Sequence, residues 1–259
     1  MLSLRPYYHP MQSVIPTEEK EVSYAEFLPC EALHSFIYCY WELKSPPRNT
    51  PFCYRVVADG CIDLFFDCNN PQMSSLMGYC NTYIEFPITG AFHYVGVRFL
   101  PSAFPLLFGQ DAFEISAQEI PLREVVPALA TFIAQQLETP LSLATIAQHL
   151  DNYFLRHLSQ HPLQMDKRFF SALLQILQSK GMMHISQLDT GISARQLRRL
   201  FDYYIGDSPK TFSNIARFQH ILSAKAYHNH SFLDTYYDQA HFIKSFKTFY
   251  GDTPSKVLG

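Results

Sequence analysis

Three arginines lie close together near the end of the chain, in the stretch "ISARQLRRLF". Ser193 is a suitable N-cap for a helix that begins there. Apolar side chains recur at helical spacing along one face of that helix: Leu197, Leu200, Phe201 and Ile205. Arg195, Arg198 and Arg199 then project from another face. Because guanidinium groups bind phosphates and the edge of guanine, the stretch predicts a helix able to bind a nucleic acid.

The stretch "YYDQAHFIKSFKTFY" follows the same pattern. Asp238 can cap a helix on which three phenylalanines face inward: Phe242, Phe246 and Phe249. The side chains able to bind bases or phosphates lie outside that face: Gln239, His241, Lys244 and Lys247. Each stretch ends with a glycine and then a Ser-Pro or Thr-Pro helix start: Gly206 with Ser208-Pro209, and Gly251 with Thr253-Pro254.

Two such patterns are what a pair of helix-turn-helix units requires. A recognition helix buries one stripe against its support and presents Arg, Lys, Gln or His near its N-terminus, where base edges are read. The alternative is an ordinary helical bundle with solvated charges. The agreement of caps, spacing and turns in both stretches favours DNA binding.

Charge is unevenly distributed along the chain. Residues 166–259 contain twelve basic and seven acidic residues, a balance of +5, whereas residues 1–165 carry a balance of -8. A basic segment joined to an acidic one is typical of a nucleic-acid-binding end attached to a different unit. We therefore expect the basic segment to bind a nucleic acid.

The phrases "SARQLRRLF", "GDSPKTF", "IARFQ" and "YYDQAHFIKSFKTFYGDTPSK" resemble the paired helix-turn-helix domain of the AraC/XylS transcription regulators over roughly residues 168–259. The phrases "RVVADGCIDLFFD", "TGAFHYVGVRFLPSAF" and "EIPLREV" resemble the uncharacterised domain that precedes this unit in one branch of that family. Ala58 stands where the branch usually has proline. The resemblance implies a transcription regulator whose two recognition helices read adjacent major-groove segments of promoter DNA.

The resemblance also implies which residues contact DNA. Arg195, Arg198 and Arg199 match base-contacting positions of the first recognition helix. The matching positions of the second are Gln239, Ala240, His241 and Lys244. Lys210 and Lys247 are candidates for binding phosphates. The supporting segments "HISQLDTGIS" and "NHSFLDTYYDQ" are shorter than the family's supporting helices, and the second has Ser231 and Thr235 in place of Ala and Gly. We therefore expect the second unit to be compressed, weakened or differently aimed.

The first part of the chain is predicted to contain strands followed by helices. Strand-like runs rich in Val, Ile, Tyr and Phe are "FIYCYWEL", "YRVVADGCIDLFFD" and "AFHYVGVRFL", with Asp59-Gly60 as a tight turn between two apolar runs. Helical runs after Pro101 are "PSAFPLLFGQ", "PLREVVPALATFIAQQLE" and "PLSLATIAQHLDNYFLRHL". We expect an antiparallel or mixed sheet, or a partial barrel, covered by helices.

The last of these helical runs has an apolar stripe formed by Leu143, Ile146, Ala147, Leu150 and Phe154. Such a stripe either covers the protein's own sheet or joins two copies of the chain. Covering the sheet is the commoner arrangement, and a homodimer remains the alternative.

The sequence lacks the motifs of metal proteins and enzymes. None of the six cysteines forms a Cys-x-x-Cys pair, and His228, His230 and His241 have no metal-binding spacing, so we expect no metal. There is no Gly-x-Ser-x-Gly elbow, phosphate-binding Gly-rich loop or His-Glu-x-x-His motif. Trp41, Glu42, Asp59, Cys61 and Asp63 are interpreted as core and turn residues. We expect neither catalysis nor a cofactor.

No apolar run is long enough to cross a membrane, and no apolar leader opens the chain, so a cytoplasmic location is expected. The polar, proline-broken stretch "SQHPLQMD" suggests a boundary. The prediction is an α+β protein with a regulatory, sensor or dimerisation domain at 1–160, a linker at 161–167 and an all-α DNA-binding domain at 168–259.

Further candidate partners are RNA polymerase and a small-molecule effector bound in the N-terminal domain, which an aromatic-rich sheet could enclose. The alternative function is a ligand- or protein-binding module on the same scaffold that binds DNA weakly or without specificity.

Overall fold

The computed structural model describes residues 3–12, 15, 19–137, 141–223 and 239–258. Strands dominate the first part of the described chain and helices dominate the rest, so the α+β class is confirmed. The eight described strands are β1 (Ser23–Phe27), β2 (Ile37–Ser45), β3 (Phe52–Val56), β4 (Ile62–Asp67), β5 (Asn70–Met77), β6 (Ile84–Ile88), β7 (Phe92–Phe99) and β8 (Glu119–Pro121).

The strands form two separate sheets. Six strands follow the order β1-β2-β7-β4-β5-β8, and β3 pairs with β6 in a sheet of two strands. Every ladder among the described strands is antiparallel, so the sheet is not mixed. The reason is that the described connections between β1 and β7 contain no helix beyond the short 3-10 turn Glu31–Leu33, whereas parallel pairing needs a long crossover.

The Asp59-Gly60 turn does not close a hairpin, although Asp-Gly between two apolar runs is a hairpin signal. β3 before the turn pairs with β6, whereas β4 after it pairs with β5 and β7. Gly60 has a φ of +70°, and the ring of Phe212 packs against its α-carbon. The turn therefore carries the chain from one sheet to the other and contacts a helix of the C-terminal region.

One face of the large sheet is covered by helices α1 (Ala103–Phe108), α2 (Leu122–Val125), α3 (Pro127–Gln136) and α4 (Leu143–Gln160). Alternate strand residues such as Leu64, Val95 and Val97 are fully buried against them. The stripe of α4 is buried in the same core through Ile146, Ala147, Leu150 and Phe154. This stripe therefore covers the protein's own sheet, as expected, and does not form a surface for a second copy.

The C-terminal helices are α5 (Lys167–Gln178), α6 (Ala194–Ile205), α7 (Pro209–Ser223), α8 (Gln239–Tyr250) and α9 (Pro254–Val257). α7 lies at their centre and contacts α5, α6 and α8. The predicted cap of α6 is confirmed, because the Gln196 backbone N–H donates to Oγ of Ser193 at 3.3 Å and the Gln196 side chain accepts from the Ser193 N–H at 3.4 Å.

The two regions share one apolar core. Its N-terminal members are Leu4, Tyr8, Val57, Ala58, Cys61, Tyr79 and Leu106. They pack with aromatic and aliphatic residues of α5 to α8, including Phe169, Phe201, Phe212 and Phe249. Residues 161–166 connect α4 to α5 without regular structure. The division of the chain into two domains with a linker at 161–167 stays a prediction.

We expect Gly206→Ala to destabilise the fold much more than Gly191→Ala. Both glycines have left-handed backbones, with φ of +98° and +65°. A Cβ at Gly206 would lie 2.1 Å from Oγ of Ser116 and 2.9 Å from the carbonyl oxygen of Ala112, whereas one at Gly191 would meet no atom within 4 Å. The free energy of unfolding in urea should fall by about 2–4 kcal/mol for Gly206→Ala and by about 1 kcal/mol for Gly191→Ala. Equal losses would contradict the close contact.

Candidate nucleic-acid interface

The outer face of α6 carries the three predicted arginines. Its inner face is buried through Leu197, Phe201, Tyr204 and Ile205. Arg195, Arg198 and Arg199 are exposed. Nε of Arg198 lies 3.9 Å from Oδ2 of Asp202, but the Arg198 side chain is 69% exposed. An ion pair this exposed contributes little to the stability of the fold, so the Arg198 guanidinium can bind another anion instead.

The outer face of α8 carries the second predicted set. Phe242, Phe246, Phe249 and Tyr250 are buried beneath the helix. The predicted contact residues are all exposed: Gln239, Ala240, His241, Lys244 and Lys247. The structure therefore brings these five together on one helix, and the arginines together on another. The predicted cap Asp238 lies outside the described residues.

Lys210 lies in the first turn of α7 and is exposed. The helix start is fixed by Ser208, whose Oγ accepts a hydrogen bond from the Thr211 N–H at 3.1 Å. A helix N-terminus favours negative charge, and Lys210 adds a formal positive charge beside it. This position suits a phosphate group.

The support beneath α6 is not a conventional helix. The preceding element is the single 3-10 turn Ile185–Gln187, which confirms that the segment "HISQLDTGIS" is short. α6 packs instead on α5, where the ring centroid of Phe169 lies 5.1 Å from that of Phe201 and 4.4 Å from that of Tyr204. The corresponding segment before α8, with Ser231 and Thr235, lies outside the described residues.

The last turn of α8 is hydrogen-bonded to the N-terminal region. The carbonyl oxygen of Phe249 accepts from the Ala58 N–H at 3.1 Å, and that of Thr248 accepts from the Tyr83 N–H at 3.2 Å. The ring of Tyr83 also packs against Gly251, which follows the helix. The inner end of α8 is therefore held by residues of the N-terminal region while its contact residues face outward.

Gln219 of α7 links three separate segments. Its Nε2 donates to the carbonyl oxygens of Ala58 at 2.8 Å and of Met11 at 3.1 Å, and its Oε1 accepts from the Met11 N–H at 2.7 Å. We refer to residues 57–61 as the 57–61 loop. This loop is thus hydrogen-bonded to both α7 and α8. The Asp59-Gly60 turn can be predicted from the sequence, but nothing in the sequence marks Gln219 as a partner of this loop.

The described residues contain no group of three His, Cys, Asp or Glu side chains placed to hold a metal ion. His228 and His230 lie outside the described residues. Burial raises the pKa of the Cys80 thiol to about 12 and raises that of Cys61 well above its usual value, so both are poor nucleophiles near neutral pH. None of the described helices combines the length and the apolarity needed to span a bilayer.

Residues 25–121 match a domain family described as a domain of unknown function, DUF6597. An uncharacterized HTH-type transcriptional regulator of Haemophilus influenzae is 26% identical over an alignment of 187 residues, and the match covers 64% of this chain and 60% of that protein. The crystal structure of ToxT from Vibrio cholerae O395 covers 93% of this chain and 98% of its own, with 10% sequence identity and a TM-score of 0.31.

The DUF6597 match contains two of the phrases that resemble an uncharacterised N-terminal domain, around Asp59 and around Arg98. The match to the Haemophilus protein spans less than two thirds of that protein's length. The chain is therefore similar to an HTH-type transcriptional regulator, at low identity.

We expect Gln219→Leu to loosen the contact between the two regions. Leucine is close in size to glutamine but leaves the backbone groups of Met11 and Ala58 without their partner. The free energy of unfolding should fall by about 2–4 kcal/mol. Gln178→Leu, on the exposed side of α5, is the matched control and should change it by less than about 0.5 kcal/mol. Urea denaturation gives both values, and similar losses would show that Gln219 does not bridge the regions.

Proposed function

We propose that the protein is a sequence-specific DNA-binding transcription regulator. The observation that carries this proposal is the pair of helices, α6 and α8, that bury an aromatic face and expose Arg, Lys, Gln and His side chains. Both belong to the basic segment of the chain. The similarity to an HTH-type transcriptional regulator of Haemophilus influenzae supports the same function. The two helices enter adjacent major-groove segments on one side of the duplex.

The exposed side chains suit different parts of DNA. Arg195, Arg198 and Arg199 can each donate two hydrogen bonds to a guanine edge. Gln239 suits adenine, and His241 or Lys244 can reach a base or the backbone. The methyl group of Ala240 can pack against that of thymine. Lys210 and Lys247 bind phosphates, which fixes the register without reading sequence.

Residues 1–160 act as the regulatory domain, joined by the linker 161–167 to the DNA-binding residues 168–259. The hydrogen bonds of the 57–61 loop to α7 and α8 support this role, because a change in the loop alters the helices directly. RNA polymerase, an effector molecule and a second copy of the chain are the further partners proposed. The protein is proposed to work in the cytoplasm and to catalyse no reaction.

The proposal is tested by selecting genomic DNA fragments with the purified protein at physiological salt and then titrating salt on the best fragment. Enrichment of a site that spans two neighbouring major-groove segments supports the proposal, and log affinity should fall linearly with log salt. Enrichment of a single half-site would restrict base reading to one helix. Binding that is salt-sensitive but indifferent to sequence would favour the alternative of a ligand- or protein-binding module.

We expect Arg198→Ala and Lys247→Ala to have different effects on DNA binding. Loss of Arg198 should cost about 1–3 kcal/mol on the selected site and relax the preference at one base step, because a bidentate contact is removed. Loss of Lys247 should weaken binding to all sequences alike and reduce the salt slope. Arg123→Ala removes a positive charge from the exposed surface of α2 and serves as control. Equal losses on all sequences for Arg198→Ala would remove it from base reading.

A further inference from the structure

A cavity of about 350 Å³ lies between the six-stranded sheet and the β3–β6 sheet. Its size is in the range of small-molecule sites. The walls are rich in aromatic rings: Trp41, Tyr54, Phe65, Phe86 and Tyr94. Trp41 can lie across the sheet only because residue 96 is glycine, since a Cβ there would be 2.2 Å from the Trp41 ring.

The polar part of the cavity is a buried charge cluster. The Arg98 side chain is 1% exposed, and its Nη2 donates to Oδ2 of Asp63 at 2.8 Å. Its Nε lies 3.2 Å from Oδ1 of Asp63 and 3.4 Å from Oδ2 of Asp59. Its Nη1 has no hydrogen-bond partner in the part of the chain that the structure describes, and it lies 3.9 Å from Glu26 of β1, which is not a lining residue. The single guanidinium is thus surrounded by several carboxylates.

The charges that line the cavity do not balance. Two acidic lining residues, Asp59 and Asp63, have side chains only 9% and 15% exposed, a third, Glu119, is exposed, and the basic one is Arg98; no lysine or histidine is among the lining residues described. Burial raises the pKa of Asp63 to about 6 and also raises that of Asp59, despite the lowering effect of Arg98. The excess negative charge is therefore costly to maintain, and a positive group placed beside these carboxylates would stabilise it.

The indole of Trp41 adds a second observation. Trp41 is 6% exposed, and its buried Nε1 has no hydrogen-bond partner of standard geometry among the described residues, although the indole N–H helps to lower the pKa of Asp63. The indole N–H therefore favours the ionised form of Asp63, which is the form that a cation would bind. The opposite side offers aromatic faces, which attract cations and apolar groups.

We propose that this cavity binds a small organic cation, a primary amine with an aromatic or branched apolar body. The ammonium group lies beside Asp63 and Asp59, and the apolar body packs among the aromatic rings. An anionic ligand would meet three carboxylates, and two of the three Arg98 nitrogens are already paired with Asp63 and Asp59. A neutral ligand would leave the excess negative charge unchanged.

Occupancy of the cavity has a route to the DNA-binding helices. Asp59 lines the cavity and also shapes the 57–61 loop, because its Oδ1 accepts from the Cys61 N–H at 2.9 Å. The neighbouring residue Ala58 is hydrogen-bonded to Phe249 of α8 and to Gln219 of α7. This regulatory consequence rests on the proposed function, whereas the binding itself does not.

Trp41 is the protein's only tryptophan, so its fluorescence reports on the cavity directly. The probes are phenethylamine, phenethyl alcohol and phenylpropionate, which share an aromatic body but are cationic, neutral and anionic. Phenethylamine should change the fluorescence saturably and bind at least about tenfold more tightly than either other probe. Equal affinities, tighter binding of phenylpropionate, or no saturable binding of phenethylamine up to about 10 mM would overturn the proposal.

Asp63→Asn should weaken phenethylamine binding at least about tenfold. Asp67→Asn changes the same residue type on the same strand outside the cavity lining and should leave the affinity unchanged. If Asp63→Asn unfolds, Ile88→Trp fills the cavity from β6 and leaves the charge cluster intact. Because that variant adds a second indole, its affinity is measured by calorimetry. Phenethylamine binding that survives in folded Ile88→Trp would overturn the proposal.

The affinity for phenethylamine should fall as the pH is lowered through about 6, because Asp63 then binds a proton while the amine stays charged. The groups that interact electrostatically with Asp63 are Asp59, Arg98, Cys39, Cys61, Cys80 and Tyr54. The thiols and the phenol have raised pKa values and therefore stay neutral near pH 6. Glu119 is the remaining acid of the lining. An affinity that is constant between about pH 5 and pH 7.5 would contradict the role of Asp63.

Binding to DNA is measured separately, on the fragment selected above, with and without phenethylamine. A change in DNA affinity that disappears in Asp63→Asn supports the route through the 57–61 loop. Amine binding with unchanged DNA affinity would overturn the route but not the site. Failure of DNA binding in every condition would reject the proposed function and leave the fluorescence result standing.

Discussion

The guanidinium of Arg98 is buried between two sheets, and a buried charge is tolerated only when it is paired. Its partners come from different parts of the chain: Asp63 from β4 and Asp59 from the 57–61 loop. Pairing with both holds the loop against the large sheet. The carboxylate of Asp59 also accepts from Gln12 at 2.7 Å and from the Cys61 N–H at 2.9 Å, so the shape of the loop depends on this one acid.

The opposite side of the same loop positions the helical region. Ala58 is hydrogen-bonded to α7 and α8, and Gly60 packs against the Phe212 ring. Further hydrogen bonds lie at the edge of the junction between the two regions. For example, the Ala112 N–H donates to the carbonyl oxygen of Tyr203 at 2.9 Å, and α6 lies against the end of α1. The exposed faces of α6 and α8 are thus presented by a helical unit whose orientation is fixed by the sheets. The proposed regulator would therefore need no large domain movement to transmit a change.

Local features of the fold were predictable from the sequence because their causes are local. Ser193 caps α6, Gly206 ends it, and Phe242 is buried on α8, each as expected from neighbours within one or two turns. The stripe of α4 was predictable for the same reason. These features determine which residues of the candidate interface face outward, so the set of exposed side chains on α6 and α8 could be predicted from the sequence.

Long-range features were not predictable, because periodicity gives the two faces of a strand but not the partner of either face. The Asp59-Gly60 turn has a hairpin signal, yet β3 pairs with β6 about thirty residues further along. Arg98 stands in an apolar strand, and nothing nearby shows that its acids come from β4 and the 57–61 loop. Gln219 looks like any glutamine of an amphipathic helix until Met11 and Ala58 are placed beside it.

The junction between the two regions has an apolar core, with hydrogen bonds at its edges and the polar 57–61 loop at its centre. An entirely apolar junction would be held by burial alone and would respond little to small polar molecules, because dispersion and hydrophobic contacts do not depend on charge. Here the central loop depends on Asp59, whose ionised form is favoured by Arg98 and opposed by burial and by the neighbouring Asp63. The charge state of one buried carboxylate is therefore linked to the backbone hydrogen bonds that hold α7 and α8. A change in the charge of Asp59 would therefore act on the position of α7 and α8 through the 57–61 loop, and the apolar core that joins the two regions would stay the same.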